Sequence, residues 1–274
     1  MIEIPEAITL AKQIAAEFAG KRAIRVVARQ TPHGFAFYNH DPDAYPEMLE
    51  GKTLDAVNAL GGNVELVLGD MHLVFGDGTT PRFLSPNDKD PEKHQLLVRF
   101  EDNSGFYCTV RMYGAMMIYP FGESDSFYYQ VARDKPSPLS KQFTREYFQA
   151  IVDEAGGKLS AKALLATEQR IPGLGNGVLQ DILFNARMHP QKKLQDLKDT
   201  DFDTFFSCVT EGLAAMTAQG GRDVERDLYG TSGGYKTILS NKTKDEPCPC
   251  CGSSIVRKAH LGGNVYFCPV CQAL

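Results

Sequence analysis

The chain has 274 residues, 43% of them hydrophobic, with 29 basic and 34 acidic side chains and a formal net charge of −5. That length suggests two domains and a smaller module, and the apolar content is ordinary for a globular protein. No apolar run approaches the roughly 18 residues of a membrane span, and the opening MIEIPEAITL lacks the basic leader and apolar stretch of a signal peptide. Charge is uneven along the chain: residues 1–135 carry 13 basic and 19 acidic side chains, residues 136–274 carry 16 and 15. Nucleic-acid binders usually show a basic excess. A chain of this balance needs a local basic cleft if it is to grip phosphates.

In chain order, residues 5–19 read as a helix. Ala7, Leu10, Ala11, Ile14 and Phe18 recur at three- and four-residue steps. Pro5 and Glu6 suit its first turn and Gly20 its end. Candidate strands follow at 23–30, 35–39, 53–58, 64–69, 71–76, 95–101, 106–112 and 115–120. Gly61-Gly62, Gly76-Asp77-Gly78 and Asp102-Asn103-Ser104-Gly105 supply turns between them. Many short strands at this spacing indicate a sandwich or barrel. The stretch Arg133 to Pro138 reads as a linker. Beyond it, 143–155, 160–168, 176–187 and 201–218 read as helices. Gly220 and Gly221 then open a polar stretch, 219–246.

The last segment carries the strongest motif. Cys248 and Cys251 form one C-x-x-C pair, Cys268 and Cys271 a second, with sixteen residues between the pairs. This is the spacing of a tetrahedral zinc site built on two turns of a short β-hairpin. Two disulfides are the alternative. The odd total of seven cysteines and the lack of a secretory leader argue against them. Cys250 is read as a spare thiol, Cys108 and Cys208 as small buried apolar residues. Reduced cysteines and zinc fit a cytoplasmic protein. The metal supplies the folding energy of so small a unit, on the order of 10 kcal/mol.

A second motif lies at 171–176, Ile-Pro-Gly-Leu-Gly-Asn, directly before an apolar-periodic helix. Such a turn leaves backbone N–H groups free at the helix start, where a phosphate oxyanion can sit. A plain connection between two helices is the alternative reading.

Taken together, these motifs carry a resemblance. The stretch from Gly173 to Pro190 resembles the helix-two-turn-helix of the formamidopyrimidine-DNA glycosylase and endonuclease VIII family. The cysteine hairpin, with Cys-Pro-x-Cys-Gly and Tyr-Phe-Cys-Pro-x-Cys-Gln, looks like that family's C-terminal finger. Glu3-Ile-Pro-Glu6 looks like its N-terminal signature. Gly220-Gly221-Arg222-Asp223 and Gly234-Tyr235 fall where the family has glycine-rich segments. The resemblance covers nearly the whole chain and identifies it as a divergent member.

The resemblance implies an α+β multidomain protein. Residues 1–135 form an N-terminal helix and β-sandwich, 136–246 a helical helix-two-turn-helix domain, and 247–274 a zinc-finger β-hairpin. It also implies a base-excision repair protein that flips a damaged base from double-stranded DNA and cleaves the glycosidic bond. An N-terminal amine attacks C1′ and forms a Schiff base. The protein is expected to act as a monomer on duplexes with a damaged base or abasic site, away from membranes, with Zn2+ as its metal. Glu3, Met1 and Glu6 are the catalytic candidates. Glu3 handles protons at the sugar, and Glu6 supports the helix start. Asn176, Gly173, Gly175, Tyr235, Arg111 and Tyr113 are the DNA-binding candidates, with Arg111 and Tyr113 entering the gap left by the flipped base.

The chain also departs from the family pattern. The family nucleophile is a proline at position two, exposed when Met is removed. Here position two is Ile2, so Met1 is expected to stay and the amine to shift outward. A catalytic lysine of the family aligns near Gly61-Gly62, a finger arginine near Gly263, and a gap-filling methionine near Asp77. The expected activity is therefore base release, by a shifted amine or by water activated by Glu3, without assured strand cleavage. The alternatives are a lesion- or abasic-site-binding protein without catalysis, and a zinc-containing interaction protein.

Overall fold

A computed structural model describes all 274 residues. Helix α1 (Ile4–Phe18) is followed by β1 (Ala23–Ala28), β2 (Ala36–Phe37) and a short α2 (Tyr45–Leu49). Strands β3 (Leu54–Leu60), β4 (Asn63–Leu68), β5 (Met71–Phe75), β6 (Thr79–Leu84), β7 (Leu96–Phe100), β8 (Gly105–Val110) and β9 (Gly114–Pro120) complete the β part. Helices α3 (Phe127–Asp134), α4 (Arg145–Ala155), α5 (Ala161–Ala166), α6 (Leu179–Asn185) and α7 (Asp199–Ala218) follow. The hairpin of β10 (Val256–His260) and β11 (Gly263–Phe267) ends the fold.

The β strands form two sheets, ordered β1-β7-β8-β6 and β2-β9-β5-β4-β3. Their inward residues interleave in one core, where Val98 and Phe106 of the first sheet meet Leu66, Leu73 and Ile118 of the second. Helix α1 closes that sandwich. Leu10, Ile14 and Phe18 recur on one face and are buried in the core, with Phe18 stacked on Phe100 at 4.6 Å between ring centres. A second core lies among α4–α7 and includes Phe148, Ile182, Phe205 and Leu213. Ile4 enters this second core while its neighbours Ile2 and Ala7 enter the first. The N-terminal turn of α1 is thus gripped from both sides, which positions the functional site. A third, small cluster joins Phe184 and Leu239 to Cys248, Tyr266 and Cys268.

Three elements were not expected from the sequence pattern. Strand β6 is polar and contains Pro81. It lies at the edge of its sheet, where a residue without an N–H is tolerated. Helix α2 has only five residues, too few for periodicity to register. Helix α3 extends through Arg133 and Asp134, so the expected linker begins two residues later. Its Tyr129 caps a buried polar group on the sheet. Glu65 accepts from Tyr129 and faces His72 Nδ1 at 2.7 Å, while Asn58 donates to its other oxygen at 2.7 Å.

Candidate functional site

The turn ahead of α6 packs directly on the N-terminus of the chain. Ile171, Pro172 and Leu174 are buried and anchor it. Gly173 takes φ +78°, and a Cβ there would overlap the backbone of Gly61 and Gly62 in the β3–β4 turn. Its carbonyl accepts the Ile4 N–H at 3.1 Å. The β3–β4 turn is therefore in backbone-to-backbone contact with the helical part. A side chain has little room there.

Glu3 fills the amide cradle that the sequence suggested for a phosphate. Its Oε1 accepts the Gly177 N–H at 2.8 Å and its Oε2 accepts the Val178 N–H at 2.7 Å. Those two amides are engaged internally. The expectation of free N–H groups does not hold for them, because the carboxylate supplied by the N-terminal turn reaches them first. Burial pushes the Glu3 carboxyl above its ordinary range, against the pull of Arg222 and the two amides.

Arg222 sits between Glu3 and Glu6 with almost no solvent exposure. Its Nη1 lies 3.7 Å from Glu3 Oε2. Its Nε donates to Glu6 Oε1 at 3.0 Å and its Nη2 to Glu6 Oε2 at 2.9 Å. Glu6 also accepts the Arg222 N–H at 3.1 Å and the Glu3 N–H at 3.2 Å. Burial works against the guanidinium's charge, but the two carboxylates outweigh it and hold the group above its ordinary value. Gly177 makes this possible, since a Cβ there would overlap the guanidinium. Glu6 is wholly committed to Arg222 and to backbone amides.

Met1 stands at the edge of this cluster. Its side chain is exposed, its carbonyl accepts from Arg222 Nη2 at 3.4 Å, and its amine lies 2.6 Å from Glu225 Oε2. The buried Ile2 side chain anchors it. Met1, Ile2, Thr79, Arg82, Arg111, Glu225 and Arg226 are among the walls of a cleft of about 110 Å³. This is the local basic cleft that the overall charge did not reveal. Arg82, Arg111 and Arg226 stand against two acids, Glu225 and the Arg222-bound Glu6.

Tyr113 lies on the same loop as Arg111. Its hydroxyl donates to Asp77 Oδ2 at 2.7 Å. That bond, with some burial, pushes the phenol up to about 12. Met112 between them is largely exposed.

On the other side of the turn, Asn176 joins the helical part to the cysteine hairpin. Its Nδ2 donates to the Asn264 carbonyl at 2.9 Å, and Gln180 donates to the same carbonyl at 3.1 Å. Gly263 packs against the Asn176 amide, whose Oδ1 is buried without a partner. Tyr235 is half-buried beside Asp181. Asp181 accepts the Ile238 and Leu239 amides at 2.9 and 2.8 Å, and burial lifts it to about 6.

The ligand atoms of Cys248, Cys251, Cys268 and Cys271 all lie within 4.8 Å of one another. The pairs Cys248–Cys271 and Cys251–Cys268 are 3.8 and 3.4 Å apart. A disulfide needs about 2.05 Å. Four thiolates about 2.3 Å from a central ion would lie close to 3.8 Å apart. The cluster fits a tetrahedral metal. Cys250 points away, with its sulfur 3.4 Å from Arg187.

Sequence reasoning gave no role to Arg222 or Glu225. Both lie in a polar stretch without periodicity. The glycines flanking them were the only signal, since glycine marks close approach.

No family model matches the chain. Full-length relatives do. The formamidopyrimidine-DNA glycosylase of Brevibacillus brevis is 28% identical over 284 residues, covering 99% of each chain. That of Symbiobacterium thermophilum is 29% identical over 279 residues, covering 99% of this chain and 89% of its own. The crystal structure of MutM (Fpg) from Thermus thermophilus superposes with a TM-score of 0.81 at 24% identity, over 98% of both chains. Lactococcus lactis Fpg, solved with abasic-site DNA, gives 0.84 at 20% identity, over 99% of this chain and 100% of that one. The whole fold is shared. No helix here is long and apolar enough to cross a membrane. Over nearly its whole length this chain is similar to formamidopyrimidine-DNA glycosylases, and it shares the fold of their solved structures.

Proposed function

We propose that the chain is a base-excision repair protein that binds damaged duplex DNA and releases the damaged base by hydrolysing its N-glycosyl bond. One observation carries the reading. The amine of Met1 and three arginines line one cleft together with Glu6, and Glu6 is tied through the buried Arg222 guanidinium to Glu3. In this reading the cleft receives the extruded nucleotide. Glu3 takes a proton from water as the water oxygen attacks C1′, and the base leaves with the bonding pair. Each Glu3 oxygen accepts one amide, so a lone pair on each remains for water. Gly177 and Val178 orient the carboxylate. Arg111 and Tyr113 enter the gap in the stack. Asn176, Gly173, Gly175 and Tyr235 approach phosphates beside it. Zinc is the metal that four thiolates select most naturally, and it would hold the finger closed. The working division is a sandwich to residue 135, helices to 246 and the finger beyond. A reduced, cytoplasmic compartment suits the free thiols.

A second reading, binding without catalysis, is favoured by the glycine pair at 61–62 and by the seclusion of Glu3. One assay separates the two. Duplex oligonucleotides bearing oxidised purines, oxidised pyrimidines or uracil are incubated with the protein, and free base is measured. The hydrolysis reading expects release from at least one duplex and its loss in Glu3→Gln. Salt-sensitive binding with no release would favour the second reading. No binding at low salt would remove both.

A further inference from the structure

One end of the five-stranded sheet carries apolar side chains that the fold leaves uncovered. Strand β2 runs parallel to β9, with Ala36 opposite Gly114 and Phe37 opposite Ala115. The Phe35 carbonyl accepts the Gly114 N–H at 2.9 Å. Side chains alternate between the two faces of a strand. Ala36, Met116 and Ile118 pack on the sandwich core, so Phe35, Phe37 and Tyr113 share the outer face. Further along β9 that face is closed, where Val74 and Tyr119 meet Tyr129 of α3. At the Phe35 end it is open. Phe35 is 62% exposed, Phe37 47%, Met112 75% and Tyr113 46%. Apolar residues exposed singly are ordinary, whereas adjoining ones mark an interaction surface.

Tyr113 stands between two unlike neighbours. On one side is the β5–β6 turn, where a Cβ on Gly78 would overlap the Tyr113 carbonyl and Asp77 accepts from the tyrosine hydroxyl. On the other side is Phe35, joined to the next residue by the backbone bond just given. A base beside Tyr113 would meet an acid on the first side and an aromatic ring on the second. The polar groups around the ring suit a polyanion. Arg111 is exposed on the same loop as Tyr113. His33 Nδ1 accepts the Phe35 N–H at 3.2 Å, which puts the ring proton on Nε2, a donor for a phosphate oxygen.

We infer that Phe35 is a further DNA-contacting residue, whose ring stacks on a base next to the gap that Arg111 and Tyr113 enter. The inference rests on the DNA reading above and adds an apolar contact on the side of Tyr113 away from Asp77. An apolar side chain set against a base step unstacks it and helps hold the duplex bent. Every base has a face on which an aromatic ring can stack, so the contact does not depend on sequence. It favours a duplex already weakened by a missing base over an intact one, because less stacking has to be given up. The ring carries no charge, so the salt dependence of binding is left to the arginines and lysines.

The test uses the full chain with an undamaged duplex and one carrying a tetrahydrofuran abasic analogue. The fluorescent base 2-aminopurine is placed in turn opposite the site and at the steps on either side. Anisotropy reads binding, and 2-aminopurine emission reads stacking. Wild type should prefer the tetrahydrofuran duplex and change the emission at a flanking step. Phe35→Ala should bind that duplex about tenfold more weakly and abolish the change at that step, with the slope of log affinity against log salt unaltered. Phe35→Tyr should restore both. Phe37→Ala, further from the loop, should stay within about twofold of wild type. The Phe35 ring is exposed, so Phe35→Ala should unfold at the same denaturant concentration as wild type. If Phe35→Ala binds within about twofold of wild type and leaves every reporter unchanged, the inference is overturned and the DNA reading stands. If wild type shows no preference for the tetrahydrofuran duplex, the DNA reading falls and takes this inference with it.

Discussion

The carboxylate of Glu3 and the guanidinium of Arg222 face each other 3.7 Å apart, both sealed from solvent. One belongs to the first turn of the chain, the other to the loop after α7. With Glu6 they form a buried cluster of two acids and one base. Removing one partner of such a pair leaves an uncompensated buried charge and typically costs about 3–5 kcal/mol. Arg222→Met should therefore unfold at markedly lower denaturant, and Arg222→Lys should recover part of the loss. Equilibrium unfolding checks this. A Met variant within about 1 kcal/mol of wild type would show that the cluster does not hold the N-terminus in place.

Asp77 presents a negative charge where DNA is proposed to lie, and it binds the Tyr113 hydroxyl. Asp77→Met should release that hydroxyl and remove the repulsion. Binding to a tetrahydrofuran duplex should tighten by about tenfold at low salt, on the order of 1.4 kcal/mol. Fluorescence anisotropy against salt concentration reads it. Weaker binding would mean that the Asp77–Tyr113 bond itself presents the tyrosine.

Four thiolates and one ion predict a single metal per chain, measurable by elemental analysis. Cys251→Ala should lose it, and residues 247–274 should lose protection from hydrogen exchange. The sandwich core, which shares no residue with the finger cluster, should keep its own. Cys250→Ala should retain the metal, because its sulfur lies outside the cluster.

Asp181 gives a pH dependence with a definite sign. Its folded value, about 6, lies above that of an unfolded aspartate. Below about pH 4 both states are protonated, and the native state keeps the full advantage. As pH rises through about 6 the native state must carry a buried carboxylate, and the advantage is lost. The change amounts to about 3 kcal/mol over that window. Glu3, also raised, acts in the same direction. In Asp181→Asn the fall in stability between pH 4 and 6.5 should shrink. Urea titrations at both pH values measure it, and an unchanged slope would remove Asp181 as its source.

The parts legible in the sequence were those whose cause is local. The repeat of Leu10, Ile14 and Phe18 defined α1, because helical periodicity needs no distant partner. The paired C-x-x-C spacing located the metal cluster, because two turns and one ion fix four sulfurs. Turn glycines marked most of the strands. Strand β6 escaped notice because an edge position excuses Pro81, and that position belongs to the sheet rather than to the strand's own residues.

What the amino-acid order determined by itself was the coarse order of helix, β part, helical part and cysteine hairpin, the four sulfurs and the likeness to known glycosylases. Tertiary structure alone decided that Glu3 occupies the amides of Gly177 and Val178, that Arg222 neutralises Glu3 and Glu6, and that Glu225 stands against the Met1 amine. These contacts join segments that are remote in sequence, and each depends on where two separate cores meet. Periodicity and spacing describe how a residue relates to its near neighbours. The charge balance of a buried site depends on which distant groups share its low-dielectric interior, and only the packed chain sets that.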